Sequence, residues 1–260
     1  LRLNQFRGGT AAVYMEPVGP ESGTTPITVE YVKGVERLCR KYGALLVFDE
    51  VVTGFRIGMA GAQGYFGVSP DLTIFGKVIA GGYPGAGGIG GKREYMKYLG
   101  AGLDSSGKKI HKALVGGTMT ANPLSCCAGY FTLEEIERTN ACQKAGQMGD
   151  RICAGLKELV KKHGLPFVVW NTGSICHLET VGTMHYQINW KKPWEIPAIL
   201  GETGVRQKEM EHMGAAYMAE GLVTLAGSRL YTSAAYTPKM IDQALACFDR
   251  VFENVAVKAD

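Results

Sequence analysis

The sequence has few of the features that mark membrane, secreted or metal-finger proteins. It has no run of about eighteen apolar residues, and the N-terminal stretch Leu1–Thr10 lacks the apolar core of a signal peptide. The seven cysteines are odd in number and scattered, and no two have C-x-x-C spacing. We therefore expect a cytoplasmic protein with reduced cysteines, without a bound metal and without membrane contact.

Neither sign of charge is in large excess. The 260 residues carry a net charge of +4 and no lysine–arginine run, so we expect no nucleic-acid partner. Hydrophobic residues make up 46% of the chain and charged residues 20%, which is typical of globular proteins. A chain of this length forms one large domain or two small ones.

Helix and strand signals alternate in the first part of the chain. A short apolar strand, Ala11–Met15, precedes a helical pattern that Thr28 caps and that ends at about Tyr42. The run Ala44–Phe48 is apolar without alternation, which is typical of a strand covered on both faces. Asp71–Phe75 has the composition of another strand. This order predicts an α/β fold with a parallel sheet.

The second half of the chain has helix signals around a small sheet. Asn122-Pro123 predicts the start of a helix that runs to about Arg138, and a second helix follows it. Residues 167–180 are strand-like with a turn in the middle, and Thr237-Pro238 begins the last helix. We place a domain boundary at residue 138, which gives domains of 1–138 and 139–260.

Two positions stand out chemically before any family is considered. Asp49 follows the buried strand, and ligands of open α/β sheets bind at the carboxyl ends of strands. Lys77 comes 28 residues later, between Gly76 and an apolar segment, where desolvation would make its amine a nucleophile. On spacing alone, an aspartate and a lysine form a surface pair more often than a site.

The segment Gly85–Gly90 fits the G-x-G-x-x-G pattern of dinucleotide-binding loops. That pattern needs a buried strand directly before it, a helix after it and an acidic residue about 20 positions on. Pro84 precedes the segment, and Asp104 follows Gly90 by 14 residues with no helix–strand unit between them. We therefore expect close-packed backbone beside a site instead of a nucleotide fold.

Three segments resemble the signatures of class III aminotransferases. Phe48–Arg56 is similar to the family's F-D-E-V-x-T-G-F-R block, and Pro70–Gly82 to its lysine signature P-D-L-x-x-x-G-K-x-I-x-G-G. Gly117–Pro123 is similar to the G-T-x-x-x-N-P element, and Glu16-Pro17 to the E-P strand end. Within the class, the resemblance is closest to glutamate-1-semialdehyde aminomutases. It implies a fold-type I pyridoxal-phosphate (PLP) enzyme: part of a large mixed or parallel-sheet domain, followed by a C-terminal α+β small domain.

The resemblance also implies roles for individual residues. Lys77 would carry PLP as the Schiff-base lysine and then move a proton as a general base. Asp49 would pair with the protonated pyridine nitrogen, and Val51 would pack against the ring if the strand continues. Thr118 would bind the cofactor phosphate from the neighbouring subunit, which implies a homodimer. Core packing for Val51 and a loop hydroxyl for Thr118 are the alternatives. Glu50 is expected to be a structural hydrogen-bond acceptor.

The substrate end of the site is left open. Arg229 would bind a substrate carboxylate through two hydrogen bonds from its planar guanidinium, and a solvated surface arginine is the equal alternative. Arg56 is the second candidate. His177 is expected to be structural. The resemblance implies a small amino or keto acid substrate and three alternative reactions: transamination, glutamate-1-semialdehyde-type aminomutation, and racemisation or epimerisation. A non-catalytic scaffold subunit is the alternative from another class of function.

Members of the family are much longer than 260 residues. Their N-terminal half supplies a glycine–serine/threonine loop for the phosphate and an aromatic residue that stacks on the ring, and we find neither in this sequence. We therefore expect a fragment, or one polypeptide of a split enzyme that associates with a chain carrying the N-terminal half. Alone, the chain is expected not to bind PLP tightly.

Overall fold

A computed structural model describes residues 8–18, 26–180, 192, 194, 196–225 and 227–256. These residues fall into two units. The first contains the described residues up to Ala141 other than Pro26, and the second contains Pro26 and the described residues from Cys142 onward. Among the described residues, no helix is both long and apolar enough to cross a bilayer.

The first unit is built on a four-stranded sheet. Its strands lie in the order β1 (Ala12–Met15), β2 (Leu45–Asp49), β3 (Leu72–Phe75) and β4 (Gly88–Gly91). The first three strands are parallel, and β4 pairs antiparallel with β3. The predicted parallel sheet is therefore confirmed, with an antiparallel edge strand that the sequence pattern did not indicate.

Local capping explains where the longer helices of this unit begin and end. Helix α1 (Val29–Tyr42) begins where the Thr28 hydroxyl accepts a hydrogen bond from the Tyr31 amide at 3.2 Å, and it ends at Gly43, whose φ is 66°. The Asn122 side chain caps α4 (Pro123–Arg138) by accepting from the Ser125 amide at 3.0 Å. The short helices are α2 (Gly61–Phe66) and α3 (Arg93–Met96).

A buried carboxylate joins the elements of the first unit. The side chain of Asp71 is 1% exposed and accepts from Lys92 at 2.6 Å, from Arg40 at 2.7 Å and from the Leu46 amide at 2.8 Å. Burial favours the neutral acid, but these three hydrogen bonds outweigh it and hold the pKa of Asp71 below its ordinary value. The carboxylate thus connects β3 to α1, to β2 and to the residue that follows β4.

The second unit packs helices on an antiparallel sheet. Its strands are β5 (Val168–Thr172), β6 (Ile175–Glu179) and β7 (Arg229–Tyr231), with β6 in the centre, and its helices are α5 (Ala141–Lys162), α6 (Ile196–Ala219) and α7 (Pro238–Ala256). Every one of these elements contributes to a single core that contains Leu156, Leu178, Tyr217, Leu230 and Phe252. The strands predicted within 167–180 and the last helix are confirmed, whereas α6 was not predicted.

Candidate functional site

Asp49 and Lys77 lie at the ends of neighbouring parallel strands. Asp49 is the last residue of β2 and pairs in register with Ile74 of β3, and the Glu50 amide donates to the Ile74 carbonyl at 2.9 Å. Strand β3 ends at Phe75, and Lys77 begins a 3-10 turn that runs to Ala80. The carboxyl ends of two parallel strands meet at one edge of the sheet, so the fold brings residues Asp49 and Lys77 to the same edge.

The Asp49 carboxylate is held by hydrogen bonds to both of its oxygens. The Val51 amide donates to Oδ1 at 2.9 Å, and the Tyr14 hydroxyl of β1 donates to Oδ2. Each carboxylate oxygen has two lone pairs, so both oxygens retain the capacity to accept a further donor. Tyr14 was missed in the sequence because it lies 35 residues before Asp49 and reaches it only through the pairing of β1 with β2.

Val51 does not continue the strand, because β2 ends at Asp49 and residues 51–56 form turns. Its side chain instead lies over Gly76, the residue before Lys77. A Cβ on Gly76 would approach Val51 Cγ1 to 3.2 Å, which is tighter than ordinary contact. Glycine at position 76 therefore allows Val51 and the Lys77 turn to lie close together.

The Glu50 side chain caps helix α2. Its buried carboxylate accepts from the Ala62 amide at 2.7 Å, from the Thr53 hydroxyl at 3.0 Å and from the side-chain amide of Gln63 at 3.2 Å. A Cβ on Gly61 would fall 2.1 Å from the same carboxylate. The expectation of a structural acceptor agrees with these contacts.

Thr118 lies in an exposed turn that is attached to the segment after Lys77. The Thr120 amide closes the turn on the Gly117 carbonyl at 3.0 Å, and the Ala121 amide donates to the Gly85 carbonyl at 2.7 Å. The Ser125 hydroxyl also donates to the Pro84 carbonyl at 2.6 Å. The three segments recognised in the sequence are therefore neighbours in one unit.

Two glycines bring the Lys77 turn against helix α4. A Cβ on Gly81 would lie 2.5 Å from the carbonyl carbon of Ala128, and a Cβ on Gly129 would lie 2.0 Å from the Ile79 carbonyl oxygen. Gly81 also has a φ of 60°, which favours glycine. This backbone-to-backbone contact fixes the distance between helix α4 and the turn that carries Lys77.

The two candidate arginines lie in different units. Arg56 belongs to the turn after β2, and its amide donates to the Thr53 carbonyl at 3.1 Å. Arg229 is the first residue of β7 in the second unit, where it pairs in register with His177 of β6. His177 is buried and stacked on Trp170 with ring centroids 4.0 Å apart, and its Nδ1 lies 3.4 Å from Glu179. These contacts agree with a structural histidine.

The glycine-rich segment Gly85–Gly90 does not open a helix. Its second half instead belongs to the edge strand β4, which pairs with β3. A dinucleotide-binding loop requires the order strand, turn, helix. This segment therefore lacks the context for nucleotide binding, as expected from its flanking residues.

The fold is that of PLP-dependent transaminases. An omega-transaminase from Sphaerobacter thermophilus superimposes with a TM-score of 0.75 at 24% identity, over 97% of this chain and 54% of that one. The sequence gives a closer relation, since the family model "Aminotransferase class-III" matches residues 2–226. The chain belongs to the class III aminotransferase family.

Two similar curated proteins are named as aminomutases. The chain is 34% identical to glutamate-1-semialdehyde 2,1-aminomutase 2 of Brevibacillus brevis, over 94% of this chain and 53% of the relative. It is 35% identical to the protein of the same name from Shouchella clausii, over 97% of this chain and 54% of the relative. The chain thus spans about half the length of these relatives.

Proposed function

We propose that this chain binds PLP with Lys77 as the covalent attachment point and transfers an amino group on a small carboxylate-bearing substrate. The observation that carries the proposal is the placement of Asp49 and Lys77 at the adjoining ends of β2 and β3. These are the carboxylate and the amine that the family resemblance singles out. The structural neighbours support it, and one of them is named as a transaminase with PLP bound.

The residues at this edge fit the chemical groups of PLP. Asp49 offers a carboxylate with free lone pairs to a protonated ring nitrogen, which is a charge-assisted hydrogen bond. Lys77 offers an exposed primary amine to an aldehyde. Val51 supplies an apolar surface beside both, and the Thr118 hydroxyl is a donor for a phosphate oxygen.

Each residue has a task in the proposed reaction. PLP, when bound, supplies an electron sink for the electron pair that remains when a proton leaves the substrate carbon. The Asp49 carboxylate keeps the ring nitrogen protonated, which maintains that sink. The Lys77 amine, once released from its covalent bond, removes the proton at the substrate carbon and returns it at the acceptor position. Arg56 and Arg229 remain the candidates for the substrate carboxylate.

Transamination is the first candidate reaction, and aminomutation is the second. The second is favoured by the two aminomutases that match more than nine tenths of this chain. Both reactions, as well as racemisation, begin with the same proton removal. An amine donor converts bound PLP to its pyridoxamine form in transamination, whereas a racemase retains the aldehyde form, so the cofactor recovered after incubation with a donor separates transamination from racemisation.

We further propose that the chain acts as a homodimer in the cytoplasm. The turn that carries Thr118 is exposed, and so are apolar residues beside it in the sequence, among them Leu114, Val115 and Met119. Exposed apolar clusters of this kind mark protein–protein contacts. Seven free cysteines suit a reducing compartment. The second copy would bring its Thr118 to the cofactor phosphate.

Borohydride trapping tests the attachment point. The chain is incubated with PLP in large excess, because alone it is expected to bind the cofactor only weakly. It is then reduced and digested, and the labelled peptides are identified by mass spectrometry. We expect the label on Lys77, loss of it in Lys77→Ala, and full labelling in Lys41→Ala, which removes an exposed lysine from α1. Labelling spread evenly over surface lysines, or unchanged labelling of Lys77→Ala, would refute the proposal.

A further inference from the structure

The pairing of β1 with β2 brings Tyr14 beside Asp49. Tyr14 is in register with Val47, and Asp49 lies two residues further along β2 and therefore on the same face of the sheet. A tyrosine is long enough to cross this diagonal, and its hydroxyl donates to Asp49 Oδ2.

The two hydrogen bonds to Asp49 come from two different parts of the fold. Val51 holds Oδ1 from the turn after β2, and Tyr14 holds Oδ2 from the neighbouring strand. The terminal torsion of an aspartate is broad when nothing restrains it. With one donor on each oxygen, the plane of the carboxylate is fixed, while each oxygen retains a lone pair.

Tyr14 can serve as a donor without being needed for packing. The hydrogen bond to Asp49, with smaller contributions from burial and from nearby carboxylates, raises the pKa of Tyr14 above its ordinary value, so the hydroxyl stays protonated at neutral pH. The residue is 58% exposed, so replacement by phenylalanine leaves no cavity. Tyr14→Phe therefore removes one hydrogen bond and little else.

We propose that Tyr14 is a positioning residue that orients the Asp49 carboxylate toward the ring nitrogen of the cofactor. This inference rests on the proposed function, because it assigns Asp49 to that nitrogen. It adds a residue outside the three recognised segments. The positioning role has one specific consequence. The Tyr14 hydroxyl should contribute to ligand affinity only when the ligand ring has a nitrogen to pair with Asp49.

A comparison of two ligands isolates this contribution. The probes are PLP and its carbocyclic 1-deaza analogue, which has a carbon in place of the ring nitrogen. Equilibrium dialysis gives the affinity of the full chain for each probe, up to saturating concentrations. We expect Tyr14→Phe to lower the preference for PLP over the analogue by about fivefold, as for a lost hydrogen bond to a charged group that is open to solvent. Tyr31→Phe removes a similarly exposed hydroxyl on α1 and should leave the preference unchanged.

The outcomes separate the two proposals. An Asp49→Asn variant that loses the preference, together with a Tyr14→Phe variant that lowers it, supports the positioning role. An unchanged preference in Tyr14→Phe overturns the positioning role and leaves the proposed function standing. An equal loss of affinity for both probes also overturns the positioning role. A higher preference would mean that the hydroxyl competes with the ring nitrogen for Oδ2, which contradicts positioning. A native chain with no preference and no label on Lys77 removes both proposals.

Discussion

The contact between helix α4 and the Lys77 turn predicts a large effect from one methyl group. In Gly129→Ala, the new Cβ would lie 2.0 Å from the Ile79 carbonyl oxygen and 3.0 Å from its carbon. Ordinary contact begins near 3.4 Å, so the two backbones must separate by about 1.4 Å. Both partners are backbone, and no side-chain rotation relieves the clash.

The expected magnitude follows from two opposing terms. Alanine in the interior of a helix is more stable than glycine by about 0.5–1 kcal/mol, whereas overpacking costs about 1–3 kcal/mol. Because a clash between two backbones takes the upper end of the overpacking cost, we expect Gly129→Ala to lower the free energy of unfolding by about 2 kcal/mol. Gly34→Ala is the matched control in α1, where the nearest atom to the new Cβ is the flexible Arg37 side chain at 3.8 Å. It should raise the free energy by about 0.5–1 kcal/mol.

The displacement should also be measurable at the site. A reactive group must be held to within about 0.5 Å, so a shift of more than one ångström in its turn should slow the labelling of Lys77 by PLP and borohydride at least about tenfold. Urea denaturation followed by circular dichroism gives the stability, and timed quenching gives the labelling rate. If Gly129→Ala gained stability as Gly34→Ala does, the close contact would be wrong. If it lost stability but labelled at the native rate, the contact would not govern Lys77.

Two further predictions concern the first unit. Asp71→Asn should lower the free energy of unfolding by about 2–3 kcal/mol near neutral pH, the low end for a broken buried pair because Arg40 and Lys92 are partly in solvent. The folded-state pKa of Asp71 is depressed, so the stability difference between the native chain and Asp71→Asn is complete above the ordinary pKa of 3.8. The difference shrinks as the pH falls through the lower folded-state pKa. Urea titrations at several pH values measure it, and a constant difference into strong acid would contradict the prediction. Leu114→Asp should reduce the dimer fraction in sedimentation experiments, whereas Val223→Asp, at a highly exposed position in the second unit, should not. Equal effects of the two substitutions would argue against a contact near Thr118.

The parts of the fold that were predictable have strong local signals. Thr28 and Asn122 have side chains that cap the following helix, and the apolar run before Asp49 has no polar face. Strand β4 could not be predicted because three of its four residues are glycine and carry no pattern. Helix α6 was not predicted because its apolar residues are not concentrated on one face, so its sequence lacks the periodicity of an amphipathic helix.

The residues of the candidate site also differ in how far the sequence indicates them. Asp49, Lys77 and Thr118 could be proposed from the sequence because each lies in a short continuous motif. Tyr14 could not be found in this way, since its contact with Asp49 exists only when β1 and β2 are paired in the observed register. The turn that places Val51 over Gly76 also depends on the observed end of β2, which leaves Val51 outside the strand instead of on its continuation.

The backbone of Lys77 adopts a conformation that a lysine takes only at a cost in stability. Its φ of 50° is a left-handed conformation, which costs an ordinary side chain about 1 kcal/mol or more and costs glycine nothing. Glycine at this position would leave the turn less strained, and the folded chain would gain stability by about the same amount. Backbone stability alone therefore does not account for a lysine here, whereas the proposed attachment of PLP to its amine does.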